Sequence, residues 1–231
     1  MLKLKIIVIL LSLLVLVNCS SNQNVFLDHL PAETYASARQ KLQQGYYKQA
    51  IKQLEALDNY YMFGPNTQQL QLDLIYAYYK LSNMQKAQNL IDRFLRTNAN
   101  HSNTDYVLYI CGLIEMKLDE QALSKYFLFG FNHFERDPKH ARAAVISFQQ
   151  LINNYPHSIY AIDAKKILIY LQNRLANYEL TVIEFYSKVG AYVAVVTRVK
   201  HMLSNFPNNN ATYQARKHME RAYQQLRINS S

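Results

Sequence analysis

From Ala32 onward, apolar residues recur three or four positions apart almost without interruption. That spacing marks one face of an α-helix rather than a strand, whose period is two. In "YASARQKLQQGYYKQAIKQLEALDNYY", Tyr35, Ala38 and Leu42 form one stripe, and Ala50, Leu54 and Leu57 form a second. Gln44-Gly45-Tyr46 interrupts them, so the segment reads as two antiparallel helices joined at a glycine. The same pattern predicts helix pairs over 32–60, 66–98 and 103–154, the last with an inserted loop around Asp119 to Pro138. A long helix follows from about Ser158 to Val189 and ends at Gly190; one more reaches Phe206, and a last runs from Ala211 to Ile228.

The pairs repeat. A shift of 37 residues carries Ala50, Leu54 and Leu57 onto Ala87, Ile91 and Phe94. A shift of 51 lays "AAVISFQQLINNYP", Ala143 to Pro156, on "AVVTRVKHMLSNFP", Ala194 to Pro207, and Ala164 on Ala215. Pro156 and Pro207 stop their helices, because proline lacks the amide donor and clashes with the preceding turn. A period of at least 34, a small residue in each second helix and a proline at its end resemble a tetratricopeptide array. The expected fold is therefore all-α, a tetratricopeptide-repeat (TPR) superhelix of antiparallel helix pairs, spanning 32–231.

The N-terminus follows different rules. Lys3 and Lys5 precede an apolar run from Ile6 to Val17 broken only by Ser12, the pattern of an export signal too short to span a bilayer comfortably. It closes on Leu16-Val17-Asn18-Cys19, which resembles a bacterial lipobox, although Asn18 stands where Gly, Ala or Ser is usual. A lipobox implies cleavage after residue 18, an S-diacylglycerol and an N-acyl chain on Cys19, and a polar tether over 19–31. Ser20, rather than Asp, after the cysteine favours the outer membrane. Two or more acyl chains make such an anchor stable. A plain signal peptide with an incidental cysteine, and an uncleaved anchor, are the other readings of this segment. With Cys19 acylated, Cys111 has no partner within the chain and reads as a small buried apolar residue.

Composition agrees with helices. Half of the 231 residues are hydrophobic, and only 5 Gly and 5 Pro are present. The net charge is +9, but its lysines and arginines are scattered; "KHARAA" and "ARKHMERAYQQLR", the densest stretches, read as solvated helix faces. The charge suits solubility and acidic surfaces rather than nucleic acid. The seven histidines are dispersed with no HxxxH or HExxH pair, and neither a phosphate loop nor a GxSxG elbow occurs. No catalytic residue, metal site or cofactor is expected.

The 19 tyrosines are the unusual feature. "YYMFGPNTQQLQLDLIYAYYKL", Tyr60 to Leu81, holds five of them. Leu70, Leu74, Ala77 and Leu81 follow a core stripe, Tyr76 and Tyr79 share a face near Asp73, and Tyr78 points elsewhere. These tyrosines are read either as packing or as a groove, since the side chain joins a large apolar body to a polar tip. This segment resembles the first two repeats of the BamD family, lipoproteins of the outer-membrane β-barrel assembly machine. The likeness continues through "IDRFLRTN", "DYVLYICGL", "RDPKHARAA", "LINNYPHSIYAIDAKK", "NRLANYEL" and "GAYVAVVTRVKHMLSNFP".

The resemblance implies a non-enzymatic scaffold of five repeats at the periplasmic face of the outer membrane. Its C-terminal repeats would dock on a POTRA domain of BamA through Phe185, Tyr186 and Arg198. Its N-terminal repeats would receive segments of unfolded outer-membrane proteins through Tyr61, Phe63, Gln68, Asp73, Tyr76 and Tyr79. Other Bam lipoproteins would attach along the side. The rival expectation is another periplasmic TPR lipoprotein, one organising cell-wall synthesis or division.

Overall fold

A computed structural model of the chain describes residues 31–60, 67–98, 100–127 and 137–228. The described residues form helices α1 (Pro31–Gln43), α2 (Tyr47–Tyr60), α3 (Thr67–Lys80), α4 (Met84–Thr97), α5 (Thr104–Phe127), α6 (Lys139–Asn154), α7 (Ala161–Lys188), α8 (Tyr192–Asn205) and α9 (Asn210–Ile228). Each packs mainly on its neighbours in sequence; α3 also touches α5, and α9 packs on both α7 and α8. This is the all-α array of helical hairpins that the repeat predicts. The proposed leader and tether, including Cys19, lie outside the described residues, apart from Pro31 at the start of α1.

The sequence repeat is a packing repeat. Ala50, Leu54 and Leu57 of α2 are buried, as are Ala87, Ile91 and Phe94 of α4, Ala144, Phe148 and Leu151 of α6, and Val195, Val199 and Met202 of α8. In α2, α4 and α6 the stripe is one alanine, then two larger residues a turn and two turns later, on the face that meets the first helices; in α8 Val195 takes the place of the alanine.

Turns repeat as well. Gly45 has φ +80° and Gly190 φ +77°, the left-handed region open to glycine. In both, the next amide reaches back five residues: Tyr46 N donates to Lys41 O at 2.9 Å, and Ala191 N to Tyr186 O at 3.0 Å. That is the Schellman closure of a helix C-terminus. The α3–α4 turn makes the same bond, Asn83 N to Tyr78 O at 2.9 Å, around Ser82 at φ +59°.

Connections between hairpins share a second geometry. Asn98, Tyr155 and Phe206 donate to the carbonyls of Phe94, Leu151 and Met202, each at 2.8 Å. In the next step His101, Ser158 and Asn209 donate to the first three residues. The 51-residue shift read from the sequence carries Tyr155 onto Phe206 and Leu151 onto Met202, so it is this connection in backbone form.

Two expectations shift in register. The loop expected from Asp119 begins later, because α5 runs on to Phe127. Asp119 is buried against Arg174 of α7, Oδ2 to Nε 3.5 Å, which holds the helix past the polar run. The long helix begins at Ala161 rather than Ser158, since residues 155–160 form the inter-hairpin turn and Ser158 Oγ donates to Asp105 at 2.6 Å. Cys111 is only partly buried, accepting a weak contact from Ser147 Oγ at 3.4 Å; burial pushes its thiol pKa up.

Candidate functional site

Two faces carry the side chains singled out in the sequence. The first is built by the leading helices of successive hairpins. Asp73, on α3, accepts from Tyr35 Oη of α1 at 2.7 Å and from Gln69 Nε2 at 3.2 Å, with Arg39 Nε at 4.0 Å. Tyr76 meets Tyr47 edge-on with ring centres 6.1 Å apart, and the Lys117 ammonium lies 5.5 Å from the Tyr79 ring centre. Burial raises the phenol pKa of Tyr106, on α5, and Tyr160, Tyr76, Asp73 and Tyr79 add to it in that order. The aromatic series therefore continues past α3. Tyr106 and Tyr109 approach Tyr160, ring centres 5.7 and 4.9 Å apart, and Tyr109 Oη donates to Asp163 of α7 at 2.5 Å.

The structure thus brings Asp73, Tyr76 and Tyr79 together. Gln68 turns away to Asn98, Nε2 to Oδ1 2.9 Å, tying the start of α3 to the end of α4. Tyr61 and Phe63 lie outside the described residues. Tyr78 is core: it is buried, donates to Glu55 and lies under the Lys86 ammonium, ring centre 5.1 Å away. Sequence reasoning missed Tyr35, Tyr106, Tyr109, Tyr160 and Asp163. One signal was available, because Tyr76 and Tyr79 recur as Tyr106 and Tyr109 at a shift of 30.

Chemically this face is a row of phenols, two of which, Tyr35 and Tyr109, donate to Asp73 and Asp163. Burial pushes the Tyr35 and Tyr109 hydroxyls above the usual phenol range, and donation to those carboxylates pushes them further. They stay neutral, their oxygens keep a free acceptor site, and their rings give flat apolar area. Such a surface can hold an extended chain by stacking and hydrogen bonding.

The second face gathers Phe185, Tyr186 and Arg198. Phe185 and Tyr186 meet edge to face at 5.7 Å, and the Arg198 guanidinium lies 5.4 Å from the Tyr186 ring centre. Arg198 is both paired within the chain and open to solvent. Here NH1 donates to Glu179 of α7 at 2.8 Å, while the side chain stays 37% exposed, so donors remain for a second acceptor. Burial lowers its pKa, but Glu179 and Tyr186 outweigh that and the net shift is upward. An open cleft of about 590 Å³ lies alongside, lined by Arg142, Glu179, Tyr186, Ala194, Thr197, Arg198 and His201. Phe185, Val189 and Val193 are exposed around the α7–α8 turn. A cationic cleft with exposed apolar residues beside it suits a protein surface bearing carboxylates.

Among the described residues no group of three or more His, Cys, Asp or Glu is placed to hold a metal, and no helix is long and apolar enough to cross a membrane. Against this geometry, comparison with known proteins is decisive. A family model described as outer membrane lipoprotein, YfiO, matches residues 28–231. The chain belongs to the YfiO family. Its relatives there include the outer membrane protein assembly factor BamD of Vibrio cholerae, 40% identical over 220 residues, which is 94% of this chain and 89% of the relative. BamD of Pasteurella multocida is 36% identical over 91% of this chain and 80% of the relative. BamD of Buchnera aphidicola is 34% identical over 84% and 78%. These relatives are named as assembly factors, and both faces fall inside the stretch the YfiO model matches.

Proposed function

We propose that this YfiO-family protein is a BamD-type subunit that assists the folding and insertion of β-barrel outer-membrane proteins, acting by binding rather than by catalysis. The supporting observation is the 40% identity to an outer membrane protein assembly factor along 94% of the chain. In this reading the tyrosine face of α1, α3, α5 and α7 receives extended segments of unfolded barrel proteins. The Arg198 cleft docks a POTRA domain of BamA, with Phe185 and Tyr186 as its apolar contacts. Further Bam lipoproteins bind elsewhere on the array. Cys19 carries the N-acyl and S-diacylglycerol chains that hold the scaffold on the periplasmic face of the outer membrane, which fits the apolar run and lipobox-like ending before it.

Binding of the mature chain to the purified periplasmic POTRA segment of BamA tests the docking. Arg198→Glu, with helicity intact by circular dichroism, is expected to lower affinity at least tenfold, since it sets two carboxylates, its own and that of Glu179, against an acidic partner. Unchanged affinity removes Arg198 from the site. Mass spectrometry of the mature N-terminus checks the anchor: the expected species begins at an acylated Cys19, and an N-terminus at Met1 with a free thiol at Cys19 refutes it.

A further inference from the structure

Glu179 is a buried carboxylate with a guanidinium on each oxygen. Oε2 takes Arg198 of α8 at 2.8 Å, and Oε1 faces Arg142 NH2 of α6 at 3.9 Å. Each arginine also lies against a tyrosine of α7: Arg198 over Tyr186 at 5.4 Å and Arg142 over Tyr178 at 5.5 Å. Three helices thus present two cations on one anionic pivot, at the wall of one cleft that His201 also lines. A second cleft of about 300 Å³ shares Arg142, Glu179 and His201, so the surface continues past Arg198 toward α6. Glu179 neutralises one of the two arginines, and the remaining charge is met at the surface by Asp137.

Among the described residues Arg142 also pairs with Asp137, with NH1 to Oδ1 at 2.7 Å. The Asp137 side chain is 63% exposed. An exposed ion pair of this kind contributes little and is easily exchanged for another carboxylate. Arg142 therefore stands oriented by Tyr178 and Glu179, with a weakly held surface anion, Asp137, on its outer side.

We propose that the docking cleft is a two-arginine receptor for a pair of partner carboxylates, one taken by Arg198 and the other by Arg142 in place of Asp137, and that Glu179 is the positioning residue for both. This rests on the docking reading above. Arg142 and Glu179 add to it a specificity: the partner surface must carry two acidic groups, not one. Glu179 never meets the partner; it fixes the guanidinium planes so that fewer rotamers are lost on binding.

The test is the association and dissociation rate of the mature full-length chain with the purified POTRA segment of BamA, on an optical biosensor at two salt concentrations. Arg142→Gln, at an exposed position, is expected to weaken binding roughly tenfold and to reduce the salt sensitivity of the association rate. Asp137→Asn is expected to strengthen binding two- to threefold. Glu179→Gln leaves both arginines but removes the anion that aims them: dissociation is expected to quicken roughly tenfold while association is unchanged or faster. A purely structural role does not split the rates that way. If Glu179→Gln does not fold, Arg142→Gln and Asp137→Asn decide alone. Wild-type affinity in Arg142→Gln, alongside loss in Arg198→Glu, overturns the two-arginine receptor and leaves the docking reading standing. Failure of the wild-type chain to bind overturns both.

Discussion

Ser82 and the half-buried tyrosines show how much a single residue decides here. Ser82 sits at φ +59° in a turn whose counterparts use Gly45 and Gly190, and a side chain there is strained by about 1–2 kcal/mol. Ser82→Gly is expected to raise the urea midpoint, with a gain of about 0.5–1 kcal/mol after the extra chain entropy of glycine is subtracted. Gly190→Ala is expected to lower it by about 1 kcal/mol, since no neighbour lies within 4 Å and only the backbone is strained. Tyr35, Tyr106 and Tyr109 make a second residue-scale prediction. Their native pKa values are raised, by burial first and then by neighbouring carboxylates or phenols. In the unfolded chain tyrosine ionises near 10. Below that pH both states hold the proton and the native contacts count in full. As pH rises above about 10 the unfolded state ionises first, so stability falls progressively until the native phenols themselves ionise. Denaturation followed between pH 9 and 12, with tyrosinate absorbance at 295 nm in the native state, is expected to show midpoints falling above pH 10 and tyrosines that titrate late. A flat stability profile refutes it.

Helices and their contacts were the most legible level in the sequence, and the reason is physical. The stripe Ala87, Ile91 and Phe94 has to recur wherever a second helix meets its neighbours, so local spacing carried the fold. The extra length of α5 was not legible, because a polar run at Asp119 looks like a loop unless Arg174, 55 positions later, is known to face it. For the same reason Tyr76 and Tyr79, one turn apart, were legible together, whereas Tyr35 with Asp73 and Tyr109 with Asp163 were not, because their pairing exists only across helices. Gly112 is another cross-helix dependence. A Cβ there would lie 2.5 Å from the ring of Phe148, which is fully buried on α6, so α5 and α6 approach only because residue 112 has no side chain. Gly112→Ala is expected to cost about 1–3 kcal/mol through overpacking, despite the better helix propensity of alanine. The double variant Gly112→Ala with Phe148→Leu is expected to be more stable than the sum of the two single losses, because the shorter side chain vacates the clash. Additive losses in urea titrations would show that the two positions do not meet.

At the scale of the whole molecule the described residues form three core clusters in series, not one. The first runs from Ala38 to Ile114 over α1–α5, the second joins α5, α6 and the start of α7, and the third joins the end of α7 to α8 and α9. Two helices splice them. In α5, Val107 and Ile110 face the first cluster while Leu108 faces the second. In α7, Ala161, Ala164 and Leu171 belong to the second, and Ala176, Leu180 and Ile183 to the third. The tyrosine face spans the first and second clusters, whereas the Arg198 cleft lies on helices of the second and third, so α7 carries side chains of both faces on one rigid rod. A quasi-one-dimensional array of this kind opens from its ends, and its cooperative units follow its cores. Native-state hydrogen exchange is therefore expected to resolve at least two opening free energies: a lower one shared by α1 and α2, and the highest one shared by α5, α6 and the first half of α7. Leu171→Ala, which empties a fully buried site at the α7 splice, is expected to cost about 2–5 kcal/mol and to bring the protection of α6 down with that of α7, leaving α2 close to its wild-type value. Uniform loss of protection along all the described helices would mean that the array melts as a single unit and that the three clusters are one core.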